Sequence, residues 1–347
     1  MKKFAINLAA VAVFAAAVVA PGFSAMAGNL YVGYYASGTV DKFDSATGAP
    51  IAPTPFTDLG SSNTTEGIAC VMGVPGAHPN FLLVVNTKTG YVEQINSSTG
   101  AVINSTFANA GGNAAAISMS RDGHSFYVAT GSAIKEFSTT TGLSIGSTNT
   151  GAHDLVVAAD GSVYATNGAN SGSYGVLKFT SDLLSHTTFI ANGDNGLNKA
   201  TGLTFDSHGN LWVGNEVAYN SSALGSFVSE YNASGVFQQK ISDTSSHLLL
   251  NPYGLATGPD GNIYVASLGV YGSSTLRGQI SEIDVSNSNV STFIAGSSTM
   301  ENPKYLDFSA NCVTYAVPEP SSLALSALGL VGLIAARARR RAKSNGA

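Results

Sequence analysis

A short motif recurs along this chain of 347 residues: a glycine turn, a polar residue, then a strand carrying an aromatic side chain. Gly209-Asn210-Leu211-Trp212-Val213-Gly214 shows it plainly, and Gly28-Asn29-Leu30-Tyr31-Val32-Gly33, Gly161-Ser162-Val163-Tyr164-Ala165 and Gly261-Asn262-Ile263-Tyr264-Val265-Ala266 repeat it. Gly123-His124-Ser125-Phe126-Tyr127-Val128 is a looser copy, and Asn80-Phe81-Leu82-Leu83-Val84 is the weakest. The clear glycines at 123, 161, 209 and 261 are 38, 48 and 52 residues apart. Strand-rich units repeating at about 40–50 residues are the spacing of propeller blades.

Each unit keeps one internal order. A small apolar strand comes first, as in Gly202-Leu203-Thr204-Phe205, followed by a turn such as Ala159-Asp160-Gly161 or Pro259-Asp260-Gly261. Asp-Gly supplies the positive-φ residue of a tight hairpin. The aromatic strand is next, and a third strand of alternating polarity follows it: 39–43, 91–95, 133–137, 176–179, 227–231 and 279–283. A fourth, variable strand ends the unit. With no helix-period segment between these strands, the body is predicted to be all-β, a six-bladed β-propeller of four-stranded antiparallel blades. The body starts on a second strand, so its first blade lacks an inner one. Tyr305-Leu306-Asp307-Phe308 can supply it, closing the ring with strands from both ends and removing two exposed edges. Val313-Thr314-Tyr315-Ala316 also has a second-strand pattern that competes with Leu30–Tyr34, and is expected to be an exit segment. Tyr31, Tyr127, Tyr164, Trp212 and Tyr264 share one blade position and are expected to pack between blades.

The ends of the chain are of another kind. Residues 1–27 begin with Lys2-Lys3, run apolar from Phe4 to Ala20 and finish in Ala25-Met26-Ala27, the layout of a secretory signal peptide. Residues 28–316 form the propeller body. Residues 317–347 hold Pro318-Glu319-Pro320, an apolar run over 323–336 predicted as a short C-terminal helix, and a cluster of Arg337, Arg339, Arg340 and Arg341. Fourteen residues are short for a stable membrane span, and the basic tail should hold its end on the cytoplasmic side. These three parts resemble the PEP-CTERM sorting signal of Gram-negative bacteria. That resemblance implies export to the cell envelope, cell surface or extracellular matrix, processing by an exosortase, and an association with exopolysaccharide. The propeller unit Pro252–Ala266 resembles NHL repeats and is similar to strands of the SMP-30 gluconolactonase and streptogramin-lyase propellers.

Charge follows this division. Seven of the 16 basic residues lie in the two ends, whereas all 21 acidic residues lie in 28–320, which therefore carries −12. An acidic body argues against nucleic acid and anionic membrane surfaces as partners. It leaves cations, neutral glycans and proteins.

Three groups of residues are candidates for a site. The loops before the first strands and after the second strands share one face, which places Glu66, Asn113, His153, Asn198, Asn251 and Asn302 around the channel mouth. Glu66 with the carbonyls of Asn198 and Asn251 offers oxygen ligands to a hard cation such as Ca²⁺. Glu66-Gly67 matches the start of the SMP-30-like metal set, which implies a metal there, but Tyr253 and Thr201 stand where that family has asparagines. His153-Asp154 could serve as a general acid and base, or His153 could simply bond a strand start. The second group lies in the long second-to-third-strand loops of three consecutive blades. Tyr174, Tyr219 and Tyr271, with Asn215 and Glu216, suit the faces and hydroxyls of a sugar. The third is Cys70 with Cys312, either a disulfide locking the closure or two free thiols. No Walker loop, G-x-S-x-G elbow, H-E-x-x-H or Cys-x-x-Cys is present. The reading is an exported surface or matrix propeller that binds glycan or protein, not an enzyme on balance and with no assured cofactor. The alternative is a metal-dependent enzyme of the lactonase or lyase kind.

Overall fold

Gly123, Gly161, Gly209 and Gly261 all adopt positive φ, between 72° and 87°, so these four hairpins between a first and a second strand close on the residue type that tolerates it. The structure is a computed structural model and describes residues 28–60, 64–73, 79–167, 175–216, 225–242, 247–270, 272–298, 300 and 302–314. Within them six antiparallel sheets surround a central channel, each with the strand order that the repeat predicts. Blade 2 runs Thr65–Met72, Phe81–Asn86, Tyr91–Asn96 and Val102–Asn109. Blade 3 runs Ala114–Met119, Ser125–Thr130, Ile134–Ser138 and Ser144–Ser147. The inner strands of blades 4, 5 and 6 are Leu155–Val157, Ala200–Phe205 and Pro252–Thr257, and their outer strands are His186–Ile190, Phe237–Ser242 and Val290–Ile294.

Blade 1 is assembled from both ends of the chain. Pro303–Phe308 is its inner strand and pairs antiparallel with Asn29–Tyr34, which continues to Thr39–Asp44 and Thr57–Asp58. Val313–Thr314 does not contest the place of Asn29–Tyr34. It pairs in parallel with Val71 and Met72, on the channel edge of blade 2. An inner strand presents one unpaired backbone edge to the channel, and the exit segment covers part of one such edge.

The blades are held together mainly by apolar side chains between neighbouring sheets. The repeated aromatic residue supplies much of this, because a ring fills the gap while its polar tip finds a partner. Trp212 is fully buried and donates its indole N–H to Asp206 at 3.1 Å. Tyr31 of blade 1 donates to the Ser97 carbonyl of blade 2 at 3.0 Å, and Tyr127 of blade 3 to the Ser181 carbonyl of blade 4 at 2.8 Å. Tyr164 meets Phe189 and Phe205 edge-on, with centroids 4.8 and 5.0 Å away.

At the channel the inner strands approach closely enough to exclude side chains. A methyl group on Gly202 would collide with the Tyr253 carbonyl oxygen, and one on Gly254 would lie 2.5 Å from the Lys304 carbonyl oxygen. Gly202→Ala is therefore expected to cost about 3 kcal/mol or more in a urea titration, or to prevent folding. Gly112→Ala, where a methyl meets nothing within 4 Å, should stay within about 0.5 kcal/mol of the parent in the same urea titration.

Candidate functional site

Each inner strand is irregular at the same place. Two residues are skipped in the pairing with the second strand: Glu66-Gly67 in blade 2, Ala115-Ala116 in blade 3, Thr201-Gly202 in blade 5 and Tyr253-Gly254 in blade 6. His153-Asp154 precede Leu155 at the matching point of blade 4, and Lys304 stands at the register shift of blade 1. Such bulges re-aim side chains out of the pleat. The first bulge residues around the ring are thus Glu66, Ala115, His153, Thr201, Tyr253 and Lys304, and four of these meet in one network.

Lys304 is the hub of this network. Its ammonium is buried, lies 2.6 Å from Glu66 Oε1, and sits 4.2 Å and 4.4 Å from the ring centroids of Tyr35 and Tyr253. Burial pulls this ammonium below the usual lysine range, and the Glu66 carboxylate opposes the shift. Tyr253 shares a hydrogen bond with His153 Nε2, while Tyr305 donates to the His153 carbonyl at 3.1 Å. Burial first, then the Lys304 and Lys199 charges, lowers the His153 imidazole to about 3, so it is neutral at any ordinary pH. His153 Nδ1 has no hydrogen-bond partner among the described residues. Asp154 accepts from the backbone N–H of Leu155 at 2.8 Å and of Leu203, in the next blade, at 3.1 Å. Burial nevertheless raises it to about 7. Asp307 repeats this arrangement on blade 1, accepting from Cys70 N–H of blade 2 at 2.9 Å, and is raised by burial to about 6.

The network lies at the mouth end of the channel. Below it a cavity of about 720 Å³ extends toward the face of the Asp-Gly turns, with Asp154, Tyr305, Asp307, Arg121 and Asn311 in its wall. Arg121 is engaged with the Val157 and Ala158 carbonyls, and Asn311 with the Thr257 carbonyl.

The residues singled out in the sequence take the following positions. Glu66, offered to a cation, faces the Lys304 ammonium, which already supplies a positive charge. Asn113, Asn251 and Asn302 have φ of 60°, 54° and 54°, a conformation that asparagine tolerates better than most residues. These three shape the turns into the inner strands, and Asn251 donates its amide to the Gly269 carbonyl at 3.0 Å. The Asn198 and Lys199 N–H groups both donate to the side chain of Asn215, at 3.0 and 2.9 Å. Glu216 is buried against Lys199 at 2.9 Å. No group of three or more His, Cys, Asp or Glu side chains among the described residues is placed to hold a metal ion, and the Glu66 surroundings do not fit one. Cys70 and Cys312, 242 residues apart, are joined in a disulfide with Cα atoms 4.5 Å apart. Tyr174, Tyr219, Tyr271, residues 1–27 read as a signal peptide, Pro318-Glu319-Pro320 and the run 323–336 expected as a short helix lie outside the described residues.

Sequence reasoning missed Lys304 and Tyr305 and noted Tyr253 only as a departure. Aligning the first strands on Ile68, Ile117, Leu155, Leu203, Leu255 and Leu306 would have found them, because Lys304-Tyr305 then falls under Glu66-Gly67.

Comparison with known proteins adds a signal and a fold. Residues 316–341 match the PEP-CTERM protein-sorting motif. A search of curated proteins finds no match. Among solved structures, a chain of a nidogen/laminin complex aligns with a TM-score of 0.63 at 12% identity, covering 82% of this chain and 99% of that one. TolB from Acinetobacter baumannii aligns at 0.55 and 16%, covering 81% and 66%, and a gluconolactonase from Xanthomonas campestris at 0.50 and 13%, covering 70% and 78%. At such identities the likeness is one of fold. The motif marks an exported, surface-targeted chain with a propeller body and is a recognition signal for exosortase processing.

Two predictions follow from the network. Glu66→Gln strands a buried ammonium and Lys304→Met strands a buried carboxylate. Each should cost about 3–5 kcal/mol, and the double variant less than either, in a double-mutant cycle read by urea unfolding. The second concerns pH. Asp154 titrates near 3.8 unfolded and about 7 folded, so the folded state holds the extra proton between those limits. Its contribution is greatest at low pH and is lost as pH rises from about 4 to about 7, at no more than about 1.4 kcal/mol per pH unit. His153, lowered from 6.5 to about 3, pulls the opposite way over most of that range. The parent curve is thus flattened, and the comparison with Asp154→Asn isolates the first group: the stability difference should shift toward the variant as pH rises through this window.

Proposed function

We propose that this exported, surface-sorted propeller is a binding protein of the cell surface or matrix, and that its ligand is a neutral, hydroxyl-rich glycan. The observation that carries this reading is the state of the channel mouth. The carboxylate and ammonium that a propeller enzyme would direct at a substrate are engaged with each other there, and the imidazole is engaged through Nε2 with a tyrosine. Glu66 is neutralised by Lys304, and His153 is bonded to Tyr253 and held neutral. Proton transfer or metal binding at that place would require the pair to separate at the cost of a bare buried charge.

Recognition is then left to the long loops of blades 4, 5 and 6, carried on a rigid ring. Tyr174, Tyr219 and Tyr271 belong to these loops, and aromatic rings with neighbouring Asn and Ser groups suit the stacking and hydrogen bonding of sugars. Asn215 and Glu216, held in backbone bonds and an ion pair, support the loop base in this scheme. The acidity of the body favours neutral glycans over anionic ones.

The test is retention of the purified protein on an immobilised neutral exopolysaccharide. The parent should be retarded, and Tyr174→Ala/Tyr219→Ala/Tyr271→Ala should elute in the void with an unchanged melting curve. Retention unaffected by the three changes, or lactone turnover abolished by a chelator, would overturn the reading.

A further inference from the structure

The two faces of the ring differ in a way that glycan binding does not use. In every blade the first strand runs from the mouth toward the Asp-Gly turns and the fourth strand runs back. The first-to-second and third-to-fourth turns therefore share one face, called here the turn face. All seven exposed large hydrophobic side chains among the described residues lie toward it. Met72 ends the first strand of blade 2, and Val102 and Ile103 begin its fourth. Leu143 and Ile145, Leu184, and Val236 stand at the starts of the fourth strands of blades 3, 4 and 5. Leu184 is 84% exposed and Leu143 68%. Scattered exposed apolar residues are ordinary; their confinement to one face among the described residues is the informative feature.

The chain also leaves the ring on this face. Val313–Thr314 runs parallel to Val71–Met72, toward the turns, and the Cys70–Cys312 disulfide fixes where that exit begins. Eight residues, 315–322, separate Thr314 from the apolar run 323–336. Even fully extended, the nine steps from Thr314 to Leu323 reach no more than about 32 Å. A membrane holding that run would thus lie close to the turn face, with the mouth and its loops directed away.

We propose that, until the sorting segment is processed, the propeller rests turn face down on the lipid surface. Leu143, Leu184, Val236 and Met72 make the contact, and the mouth loops point outward. Asp122, Asp160, Asp182 and Asp260 lie in turns of the same face, so the surface it fits is a zwitterionic one. The proposal rests on the export and sorting reading and on insertion of residues 323–336, and it is independent of what the loops bind.

The experiment uses the unprocessed full chain in phosphatidylcholine vesicles doped with a nitroxide-headgroup lipid. The native cysteines form the disulfide, so a fluorophore can be placed on Leu184→Cys at the turn face or on Ser274→Cys at the mouth. Flotation with the vesicles reads the anchoring. Quenching several-fold stronger at position 184 than at 274 is the expected result. In a Met72→Ser/Leu143→Ser/Val236→Ser background the chain should still float, while quenching at 184 falls. Failure to float overturns the anchoring and the proposal with it. Flotation with equal quenching at the two positions, stronger quenching at 274, or quenching at 184 unchanged in that background overturns the contact while leaving the anchoring in place.

Discussion

A ring of six sheets closed by strands from opposite ends of one chain has a single seam at which the backbone is not continuous, and the propeller exists only if that seam holds. Pro303–Phe308 must lie between Asn29–Tyr34 of its own blade and the inner strand of blade 2. Four attachments join this C-terminal stretch to blade 2: the Lys304–Glu66 ion pair, the Asp307 carboxylate on Cys70 N–H, the Cys70–Cys312 disulfide and the pairing of Val313–Thr314. The first three span 238, 237 and 242 residues of sequence. Contacts of such separation repay their chain entropy only when the ring is complete, so they act on closure and contribute little to any single blade.

This seam also decides what chemistry the channel mouth has available. A lysine in the closing strand needs a counter-ion, because a lone buried ammonium is costly. Glu66 provides it and is thereby removed from the set of free carboxylates. The positive charge in turn helps keep His153 neutral, and a neutral imidazole can share a hydrogen bond with Tyr253 without a further counter-charge. Closure of the ring and the pairing of the mouth carboxylate are here consequences of one ion pair.

The repeat was legible because hairpin chemistry is local. The turns and the recurring aromatic strand marked the units, six copies of the third strand led to six blades, and a body starting on a second strand led to Tyr305–Phe308 as the completing strand, as the structure has them. The mouth was less legible, because the bulge that aims each first-strand residue is a register property and not a composition property. Asparagine was ambiguous for a related reason: a residue that can ligate a cation is also one that tolerates positive φ, and three of the mouth asparagines do the latter. Lys304 carried no local signal, since its role depends on a residue 238 positions away. Val313 looked like a second strand because alternation reveals a strand but not its partner.

The side on which the sorting tail leaves follows from the same closure. First and second strands meet at the turn face, and blade 1 takes its first strand from the C-terminal part and its second from the N-terminal part. Where the other inner hairpins have a turn, blade 1 therefore has two chain segments: the approach to Asn29 and the exit after Phe308. The Asn29 N–H bonds the Ser309 hydroxyl at 2.8 Å across this gap. A propeller closed in this way must send its C-terminal tail off the turn face whatever the tail contains, and its opposite face is left free of both. The topology thus places the exit of the chain and the channel mouth on opposite faces before any residue of either surface is specified. That leaves the loops of blades 4, 5 and 6 able to lengthen without disturbing the seam.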